Sequence, residues 1–433
     1  MIDSGSHIQR GCVSRRPKEN LRLGHAERRG LALQYIGVDI AKHAHVAASE
    51  FDDGAPHGRP FSFPNTEKGF AGLLQRFDEL GATPDDCLVI MESTGHYWMA
   101  LWEFLDARGF KVAVVNPVLT DAFRKADTLR KTKTDGIDAL LIAEFARFKR
   151  LGPSRISPEA AEGLKQLTRY RHHLVTERTS LKNRLTAACD RIFPELASLF
   201  SDKHGATAMA LVREIGSARA IAATDIRTIE RVVRTASRGR HGRAKAEEVK
   251  HAAKHSVGCS FAEGALSFEA KHIAALIGHL DAEIGALDEE ISRAVDPEID
   301  ELLRSIPGIG PVCAATIAAE VGDPDRFGDP RKLMAYAGLD SSTCQSGKFK
   351  GDEQHMSKRG SAPLRNALMT AADKARMRDP YFGDYYDRMR SRGKHHYVAV
   401  SGCARKLCGV ILAVLRERRP YERRPSIQSQ DRG

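Results

Sequence analysis

At Leu33 the chain changes character, because short apolar runs rich in β-branched residues begin to alternate there with helical stretches. The runs read LQYIGVDI, HVAASEF, CLVIMES and KVAVVN, and helical periodicity lies between them, as over Glu67 to Leu80 and Tyr97 to Arg108. Short runs of this kind indicate strands, and strands that alternate with helices pack as an α/β domain. We therefore expect an α/β domain with a mixed sheet over residues 31–150.

Residues 151–300 show an almost purely helical pattern with two apolar seams. Their members lie at heptad-like spacing: Leu164, Leu167, Leu174, Leu181 and Leu185 in the first, and Ile273, Ile277, Leu280, Ile284, Leu287 and Ile291 in the second. Such a seam is typical of a coiled coil. An intramolecular helical hairpin and a dimerisation stalk account for it equally well. The basic insertion between the arms, Arg231 to Lys254 with SRGRHGRAK, favours a solvated loop with helical flanks over a phosphate site.

Three segments complete the domain organisation: a basic arm over residues 1–30, expected to be disordered, a compact α-rich domain over 301–418, and a charged tail over 419–433. Lysine and arginine number 67 against 56 acidic residues, a formal +11, which favours a nucleic-acid partner. The eight cysteines are scattered without a CxxC pair, which indicates reduced thiols in a cytoplasmic protein. The apolar runs fall short of the ~20 residues of a membrane helix, so no membrane partner is expected.

Four carboxylates are candidates for a metal site. Asp39 ends the apolar run YIGVD and Glu92 ends CLVIME, and the carboxyl ends of strands are where α/β sheets bind ligands. Asp135 and Asp138 lie three residues apart at the start of a predicted helix and therefore share a face. Clustered acids repel one another without a cation, and oxygen ligands suit Mg²⁺ or Mn²⁺. Taken singly, each acid is equally explained as a strand-end or capping residue.

The C-terminal part begins with SIPGIGPVCAATIAAEVGD, which is typical of a helix-hairpin-helix. Gly308 and Gly310 would let the backbone approach a phosphate closely, and the free N–H groups at the start of the following helix would donate to that phosphate. A polar loop and a basic helix start follow, with Lys348, Lys358, Arg359 and Arg365 as candidate nucleic-acid contacts. No histidine and carboxylate spacing announces a hydrolase triad, so residue chemistry alone assigns the serines here to loops and caps.

The order GVDIAK, MESTGHYW, VVNP and RKTKTDGIDA resembles the RuvC-like N-terminal domain of the DEDD-type insertion-sequence transposases, the bridge-RNA (seekRNA) guided recombinases. The resemblance implies an RNase H-like fold and assigns the family's four acids to Asp39, Glu92, Asp135 and Asp138. PGIG, FGDPRKLMAYAGL, QSGK and SKRGSAPLR look like the family's C-terminal transposase domain. There the serine seven positions after AGL is catalytic, which points to Ser346 here.

Several further expectations rest on this resemblance. The serine would form a phosphoserine link to DNA, activated by a Mg²⁺ (or Mn²⁺) centre. A bridge RNA would choose the DNA sequence by base pairing, and a homodimer would assemble into a tetramer on DNA, with the acids of one protomer meeting the serine of another. Basic residues just before and within the TDGID segment are candidate backbone contacts, namely Arg124, Lys125, Lys131 and Lys133. The protein would act at the prokaryotic nucleoid.

Two other functions remain open at this point. A structure-specific endonuclease of the junction-resolvase type would use the same acids to activate water and would leave no covalent protein–DNA adduct. A non-catalytic nucleic-acid scaffold would retain the fold alone, but the presence of all four acids argues against it.

Overall fold

The computed structural model describes residues 33–127, 134–154, 159–340, 345–346, 349–350 and 356–423. The basic arm expected over 1–30 and the last part of the tail, 424–433, lie outside the described residues. Contacts divide the chain into two units, residues 1–156 and 157–433.

The first unit contains a five-stranded mixed sheet. Its strands are β1 (Gln34–Asp39), β2 (Ala44–Phe51), β3 (Phe61–Pro64), β4 (Cys87–Glu92) and β5 (Lys111–Val115). Their order in the sheet is β3-β2-β1-β4-β5. Strands β1, β2 and β3 pair antiparallel, and β1, β4 and β5 pair parallel. This mixed α/β arrangement is consistent with the RuvC-like domain that the sequence pattern predicts.

Helices cover both faces of this sheet. They are α1 (Glu67–Leu80), α2 (Trp98–Asp106), α3 (Pro117–Asp127) and α4 (Asp135–Lys149). Alternate residues of each strand point to opposite faces, so Val89 packs in the core beneath α1 and α2 while Ile90 packs beneath α4. The sequence predicted four of the strands and the helices α1, α2 and α4, the last as the helix that begins near Asp135. It missed β3, which is too short to show a period, and α3, whose apolar positions are exposed.

The second unit is almost entirely helical and is organised around two long helices. Helix α5 (Glu159–Ile192) and helix α11 (Glu263–Ala294) pack against each other along most of their length. Ion pairs from Arg171 to Asp288 and from Arg184 to Glu269 show that the two run antiparallel. The predicted seam is the buried one, since Leu174 and Leu185 are buried on α5, and Ile277 is buried on α11.

In the sequence between the long helices lies a small helical subdomain, whose core also includes buried residues of α5 and α11. Its helices are α6 (Leu196–Leu199), α7 (Ala206–Glu214), α8 (Ala218–Ala223), α9 (Ile226–Ala236) and α10 (Arg243–Lys254). Leu211, Ile229, Val233 and Val249 are buried together in that core. The basic segment, predicted as a solvated loop with helical flanks, has helix α9 and helix α10 as those flanks, and the part between them is the turn from Ser237 to Gly242.

The C-terminal part consists of six helices and a two-stranded hairpin. The helices are α12 (Pro297–Arg304), α13 (Pro311–Val321), α14 (Pro330–Tyr336), α15 (Ala362–Arg378), α16 (Pro380–Ser391) and α17 (His396–Glu417), with a 3₁₀ turn at Pro324–Arg326. The hairpin strands are β6 (Gln345–Ser346) and β7 (Phe349–Lys350).

Helix α17 forms the centre of the C-terminal core. Of the described helices it alone is long and apolar enough to cross a membrane by length and composition, which the short apolar runs of the sequence did not suggest. However, 72% of its apolar window is buried inside the protein. Leu407 and Ile411 are fully enclosed by neighbouring helices. Burial against protein accounts for its apolar character.

Candidate active site

Asp39 and Glu92 emerge side by side at one edge of the sheet. Strands β1 and β4 are parallel neighbours, and Val38 pairs with Met91. The next residue of each strand is Asp39 on β1 and Glu92 on β4, and both side chains are half-buried. The sequence predicted each acid at the carboxyl end of a strand, and the structure makes these two strands neighbours, so the acids meet at the edge where α/β sheets bind ligands.

The first turn of α4 is brought to the same edge by a contact that only glycine permits. A Cβ atom at Gly37 of β1 would lie 2.0 Å from the carbonyl oxygen of Ala139 and 2.6 Å from the nitrogen of Ala143. The other end of α4 lies over the start of the sheet, because Arg147 Nε donates to Glu50 of β2 at 2.7 Å. Helix α4 therefore runs antiparallel to β1, with its amino end at the carboxyl end of that strand.

That first turn carries the other two predicted acids. Thr134 caps the helix, its hydroxyl accepting from the Ile137 N–H at 3.3 Å. Asp138 is half-buried and directly precedes Ala139, whereas Asp135 is exposed. Negative charge in a first helical turn is favoured by the helix dipole, which partly offsets the repulsion between the acids.

Two threonines hold the carboxylate of Glu92. The hydroxyl of Thr94 donates to Glu92 Oε2 at 3.3 Å, and the hydroxyl of Thr120, on α3, donates to Glu92 Oε1. Thr120 is 2% exposed, so its hydroxyl has been withdrawn from water to make this bond. The sequence pattern gave no reason to select either residue, although Thr94 lies within the MESTGHYW motif.

The positively charged side chain of Arg124 lies beside Asp138. Arg124 of α3 donates to Asp138 Oδ1 at 3.4 Å and to Asp121 Oδ1 at 2.9 Å. Lys125 lies 2.7 Å from Asp121 Oδ2, and its hydrogen bond lowers the pKa of Asp121. Both predicted backbone contacts on α3 are thus paired with acids in the protein alone. Lys131 and Lys133 lie outside the described residues.

The donor set suits a hard divalent cation but is not a closed coordination shell. Carboxylate oxygens are the ligands that Mg²⁺ and Mn²⁺ prefer, and such ions retain several waters. Across the described parts of the chain, no three His, Cys, Asp or Glu residues stand together in a group that could hold a metal ion. The protein therefore gathers acids of the required chemistry at one edge without enclosing a site.

The predicted nucleophile lies on the small C-terminal hairpin. Ser346 is the last residue of β6 and pairs with Phe349 of β7. The side chain of Ser346 and the whole of Lys348 lie outside the described residues.

Two segments, residues 336–338 and 358–361, stand before and after this hairpin in the sequence, and we call them its stems. Backbone hydrogen bonds join the two stems. The N–H of Lys358 donates to the carbonyl of Gly338 at 3.1 Å, and the N–H of Ser361 donates to that of Tyr336 at 2.8 Å. Gly338 has φ +66°, in the left-handed region that favours glycine. Arg365 Nη1 donates to the carbonyls of Ala337, at 3.0 Å, and Lys358, at 3.3 Å. Arg365, predicted as a nucleic-acid contact, thus bonds to both stems.

The predicted contacts Lys358 and Arg359 are exposed in the second stem. The backbone of Lys358 has φ +53°, a conformation that residues other than glycine rarely adopt. The bonds around it over-determine that conformation, and so fix where Lys358 and Arg359 leave the stem.

The buried carboxylate of Glu320 stabilises the stems where they are hydrogen-bonded to each other. Glu320 of α13 is 1% exposed and accepts from Arg169 Nε at 2.6 Å, from Arg169 Nη2 at 3.1 Å and from the Tyr336 hydroxyl at 3.1 Å. Burial raises the pKa of Glu320, but hydrogen bonds from Arg169, Ser361 and Tyr336 together with the charge of Arg169 outweigh it and lower that pKa overall. Because Arg169 lies on α5, this network joins the long helix to the stem.

The two glycines of the predicted helix-hairpin-helix have different surroundings. Gly308 has φ +98°, and a Cβ there would lie 2.5 Å from both the carbonyl oxygen of Ala371 and the nitrogen of Ala375. Close packing on α15 therefore accounts for glycine at this position without a ligand. Gly310, which caps α13, faces open space instead.

Family models match both halves of the chain. A DEDD transposase model of the IS110 type matches residues 36–194, which include all four acids. A model described as a transposase of the IS116/IS110/IS902 family matches residues 300–387, which include the hairpin. The segment between the two matches holds α6 to α10 and α11.

Curated relatives share most of the chain. The 43.6 kDa protein of insertion element IS110 from Streptomyces coelicolor is 27% identical over 90% of this chain and 96% of its own length. The 42 kDa protein of insertion element IS900 from Mycobacterium paratuberculosis is 30% identical over 67% and 73%. A pilin gene-inverting protein from Moraxella bovis is 24% identical over 90% and 98%. The chain belongs to the IS116/IS110/IS902 family of transposases, recombinases that cleave and rejoin DNA.

Proposed function

We propose that the protein moves an insertion sequence by using Ser346 as the nucleophile and Asp39, Glu92, Asp135 and Asp138 as the ligands of Mg²⁺ or Mn²⁺. The observation that carries the proposal is the meeting of β1, β4 and α4 at one sheet edge, with an acid at the end of each strand and two in the first turn of the helix. When bound there, the metal would polarise the scissile phosphate and stabilise the charge that develops on its oxygens.

The chemistry is a pair of phosphoryl transfers. The Ser346 hydroxyl oxygen attacks the scissile phosphorus and loses its proton, while the bond from phosphorus to one deoxyribose oxygen breaks and that oxygen takes up a proton. A deoxyribose hydroxyl of the new partner strand then attacks the phosphoserine and releases the serine. Bond energy is conserved through the covalent link, so the strands rejoin without another energy source. Thr94 and Thr120 would fix the orientation of Glu92 throughout.

DNA would be held by backbone contacts near the hairpin. Exposed Lys358 and Arg359 in the second stem, together with Lys348, are suited to phosphates. Gly310 leaves open space at the uncapped start of α13, where free N–H groups would complete a helix-hairpin-helix contact. Gly308 would shape the turn rather than meet the phosphate. Arg365 would act by holding the stem.

We further propose that a bridge RNA selects the DNA sites, as the family resemblance implies. The surplus of cations supports a second polyanion besides DNA. Base pairing would supply sequence specificity, and the protein would read shape and backbone. Since the substrate is the element's own DNA, we place the activity at the prokaryotic nucleoid.

For assembly, we propose that α5 and α11 form a coiled-coil stalk through which two copies join, with two dimers forming a tetramer on DNA. Besides the buried seam, α11 presents exposed apolar side chains, Phe268 at 65% and Leu276 at 52%. Side chains of this kind in a long helix pair suit contact with a second copy.

A covalent-adduct assay tests the nucleophile. Purified protein, Mg²⁺, RNA from the element's flanking non-coding region and DNA bearing the element's junction would be run on a denaturing gel. We expect a protein–DNA adduct with the wild type, and none with Ser346→Ala or Asp39→Asn. Matched controls are Ser391→Ala and Asp106→Asn, which remove an exposed serine and an exposed acid elsewhere.

The same gel separates the alternatives. An adduct that also requires the RNA supports guidance, and one that forms equally without RNA contradicts it. Cleavage that survives Ser346→Ala without any adduct would replace the serine mechanism with a water-activating nuclease of the junction-resolvase type.

A further inference from the structure

The helical subdomain between the two long helices concentrates the chain's positive charge. Residues 196–262 contain twelve Lys and Arg against six Asp and Glu, and this surplus of six is more than half of the formal +11 of the whole chain. The segment lies outside both regions that the family models match. Neither the cut-and-rejoin chemistry nor the hairpin explains why so much charge is placed here.

Four arginines form one stripe along α9 and its end. Arg227, Arg231 and Arg234 are spaced by 4 and 3 residues, which places them on a single face of α9, and Arg238 follows in the turn after the helix; all four are exposed. We call the four the α9 arginine stripe. At ~1.5 Å of rise per residue the three helical arginines extend over about 10 Å, enough to reach neighbouring phosphates of a duplex.

The opposite face of α9 holds the helix in place without these arginines. Its apolar residues Ile229, Val232 and Val233 are buried in the subdomain core. Helix α10 covers them with apolar residues of its own, such as Val249. The stripe is therefore not required to bury the core, and it remains available to a ligand.

The stripe is only weakly neutralised by the protein. Arg231 lies 3.5 Å from Glu214, and Arg234 lies 3.0 Å from Glu230, with both guanidinium groups well exposed. Exposed pairs of this kind contribute little and yield readily to a phosphate. Among the ion pairs within the described part of the chain, none involves Arg227 or Arg238, and both residues are exposed.

The turn after α9 extends the charged surface in a fixed shape. Arg238 and Gly239 both adopt the left-handed conformation, at φ +53° and +83°. The buried hydroxyl of Ser237 accepts from the N–H of His241 at 2.9 Å, and Arg240 Nε donates to the carbonyl of Ser237 at 3.3 Å. The turn then leads into α10, which starts at Gly242 without a side-chain cap.

From this arrangement we propose that the α9 arginine stripe and the α9–α10 turn bind the phosphate backbone of a nucleic-acid duplex, as a site separate from the acidic edge and the hairpin. Arginine is suited to this role because its planar fork donates two parallel hydrogen bonds to one phosphate. The ligand is a double-stranded phosphodiester backbone, which either DNA or an RNA stem supplies. The inference does not depend on the serine mechanism.

Binding of three probes by the full-length chain tests the site. The probes are a 20-base-pair DNA duplex of arbitrary sequence, the RNA duplex of the same sequence, and the single DNA strand. All proteins carry Ser346→Ala so that no cutting occurs, and dissociation constants are measured from 50 to 300 mM salt. The stripe variant replaces Arg227, Arg231, Arg234 and Arg238 with glutamine.

The control variant removes the same charge elsewhere in the same unit. It carries glutamine at four exposed arginines that have acidic partners, namely Arg293, Arg304, Arg418 and Arg419. A third variant replaces the stripe with lysines, which keep the charge but lose the fork. Helical content measured by circular dichroism verifies that each variant is folded.

We expect the stripe variant to bind at least one duplex at least 10-fold more weakly than the control variant does at 100 mM salt. Each lost contact should lower the slope of log Kd against log salt by ~0.9, so four contacts should lower it by about 3 to 4. The lysine variant should retain most of the slope. Loss with one duplex alone identifies DNA or RNA as the ligand. Equal binding by the stripe and control variants to both duplexes would overturn the proposal, whatever the adduct assay shows.

Discussion

At the scale of single residues, the acidic edge depends on the absence of a side chain at Gly37 as well as on the acids themselves. Gly37 is buried in a strand where a side chain would ordinarily add stability, yet α4 uses the space that its Cβ would fill. Because Ala139 is the neighbour of Asp138, this single contact sets where the third and fourth acids stand relative to β1. The placement of the proposed metal ligands on α4 is thus determined by Gly37, which is not itself one of them.

Replacing Gly37 with alanine should therefore destabilise the first unit and disturb its metal affinity. The new Cβ would overlap backbone atoms of α4, which cannot rotate away, and we expect a loss of about 3 kcal/mol in the free energy of unfolding. Both tryptophans, Trp98 and Trp102, lie in α2 of this unit, so their fluorescence during urea unfolding measures the stability of this unit selectively.

Gly72→Ala is the matched control for Gly37→Ala. Gly72 lies in α1 with open space around its Cβ position, so alanine should stabilise slightly. An unchanged midpoint for Gly37→Ala would contradict the packing argument.

In the proposed metal site, the guanidinium of Arg124 would compete with the metal for the acidic edge. That guanidinium bridges Asp138 and Asp121, so it supplies positive charge where a divalent cation would bind. We expect Arg124→Gln to lower the dissociation constant for Mn²⁺ about 5-fold, since removing a nearby charge changes the Coulomb energy by ~1 kcal/mol in a solvated site. Calorimetric titration of the protein without nucleic acid measures this directly. Arg76→Gln, which removes an exposed arginine paired on α1, should leave the affinity unchanged. If both variants bind Mn²⁺ as the wild type does, Arg124 has no such role.

At the scale of elements, the hairpin that carries Ser346 is short, and its position depends on the helices behind it. Two residues on each strand cannot hold a hairpin in water by themselves. Backbone bonds between the stems, the guanidinium of Arg365 and the buried Glu320 network supply the missing rigidity. A nucleophile must be held in line with its phosphate, so with Ser346 as the proposed nucleophile this support would bear directly on rate.

Glu320→Gln should lower the stability of the second unit by about 2 kcal/mol at pH 7, because Arg169 would lose its charged partner while remaining partly exposed to water. The pKa of Glu320 is lowered in the folded state, so its contribution is present above the unfolded value of ~4.3 and is lost as pH falls through the folded value. The difference between wild type and variant should therefore shrink between pH 5 and the acid limit of folding. Circular dichroism at 222 nm, dominated by this helical unit, measures the difference in stability.

The control is Glu298→Gln, which breaks an exposed pair with Arg418 and should change stability by less than ~0.5 kcal/mol at either pH. A difference that grows on acidification would refute the assignment.

At the scale of the whole molecule, the long pair of helices α5 and α11 is the element through which we propose that two copies join. If α11 joins two copies, its exposed apolar side chains should matter for association and not for folding. We expect Phe268→Ser with Leu276→Ser to shift the protein from dimer towards monomer in analytical ultracentrifugation, without loss of helical content. Tyr170→Ser, an exposed aromatic on α5, is the comparison. A wild type that sediments only as monomer, with and without RNA, would count against the stalk.

The sequence by itself determined what local periodicity and motif order can encode. Short apolar runs rich in β-branched residues predicted β1, β2, β4 and β5, and the heptad-like seams predicted α5 and α11, because apolar side chains must be buried whatever they meet. The runs also predicted that Asp39 and Glu92 stand at carboxyl ends of strands, and the motif order predicted a transposase, which the family comparison confirms. The roles of Ser346 and of the four acids stay predictions.

Only the tertiary structure decided the contacts between residues far apart in the chain. Thr120 bonds to Glu92 across 28 positions and Glu320 bonds to Arg169 across 151, and no periodicity links such pairs. The same holds for Gly37 and Gly308, whose missing side chains make room for helices that the sequence does not reveal as their neighbours. Helix α17 is apolar enough for a membrane, and only its burial among other helices shows that protein surrounds it. A sequence pattern specifies which face of an element must be covered, whereas the covering atoms are chosen by how all the elements pack together.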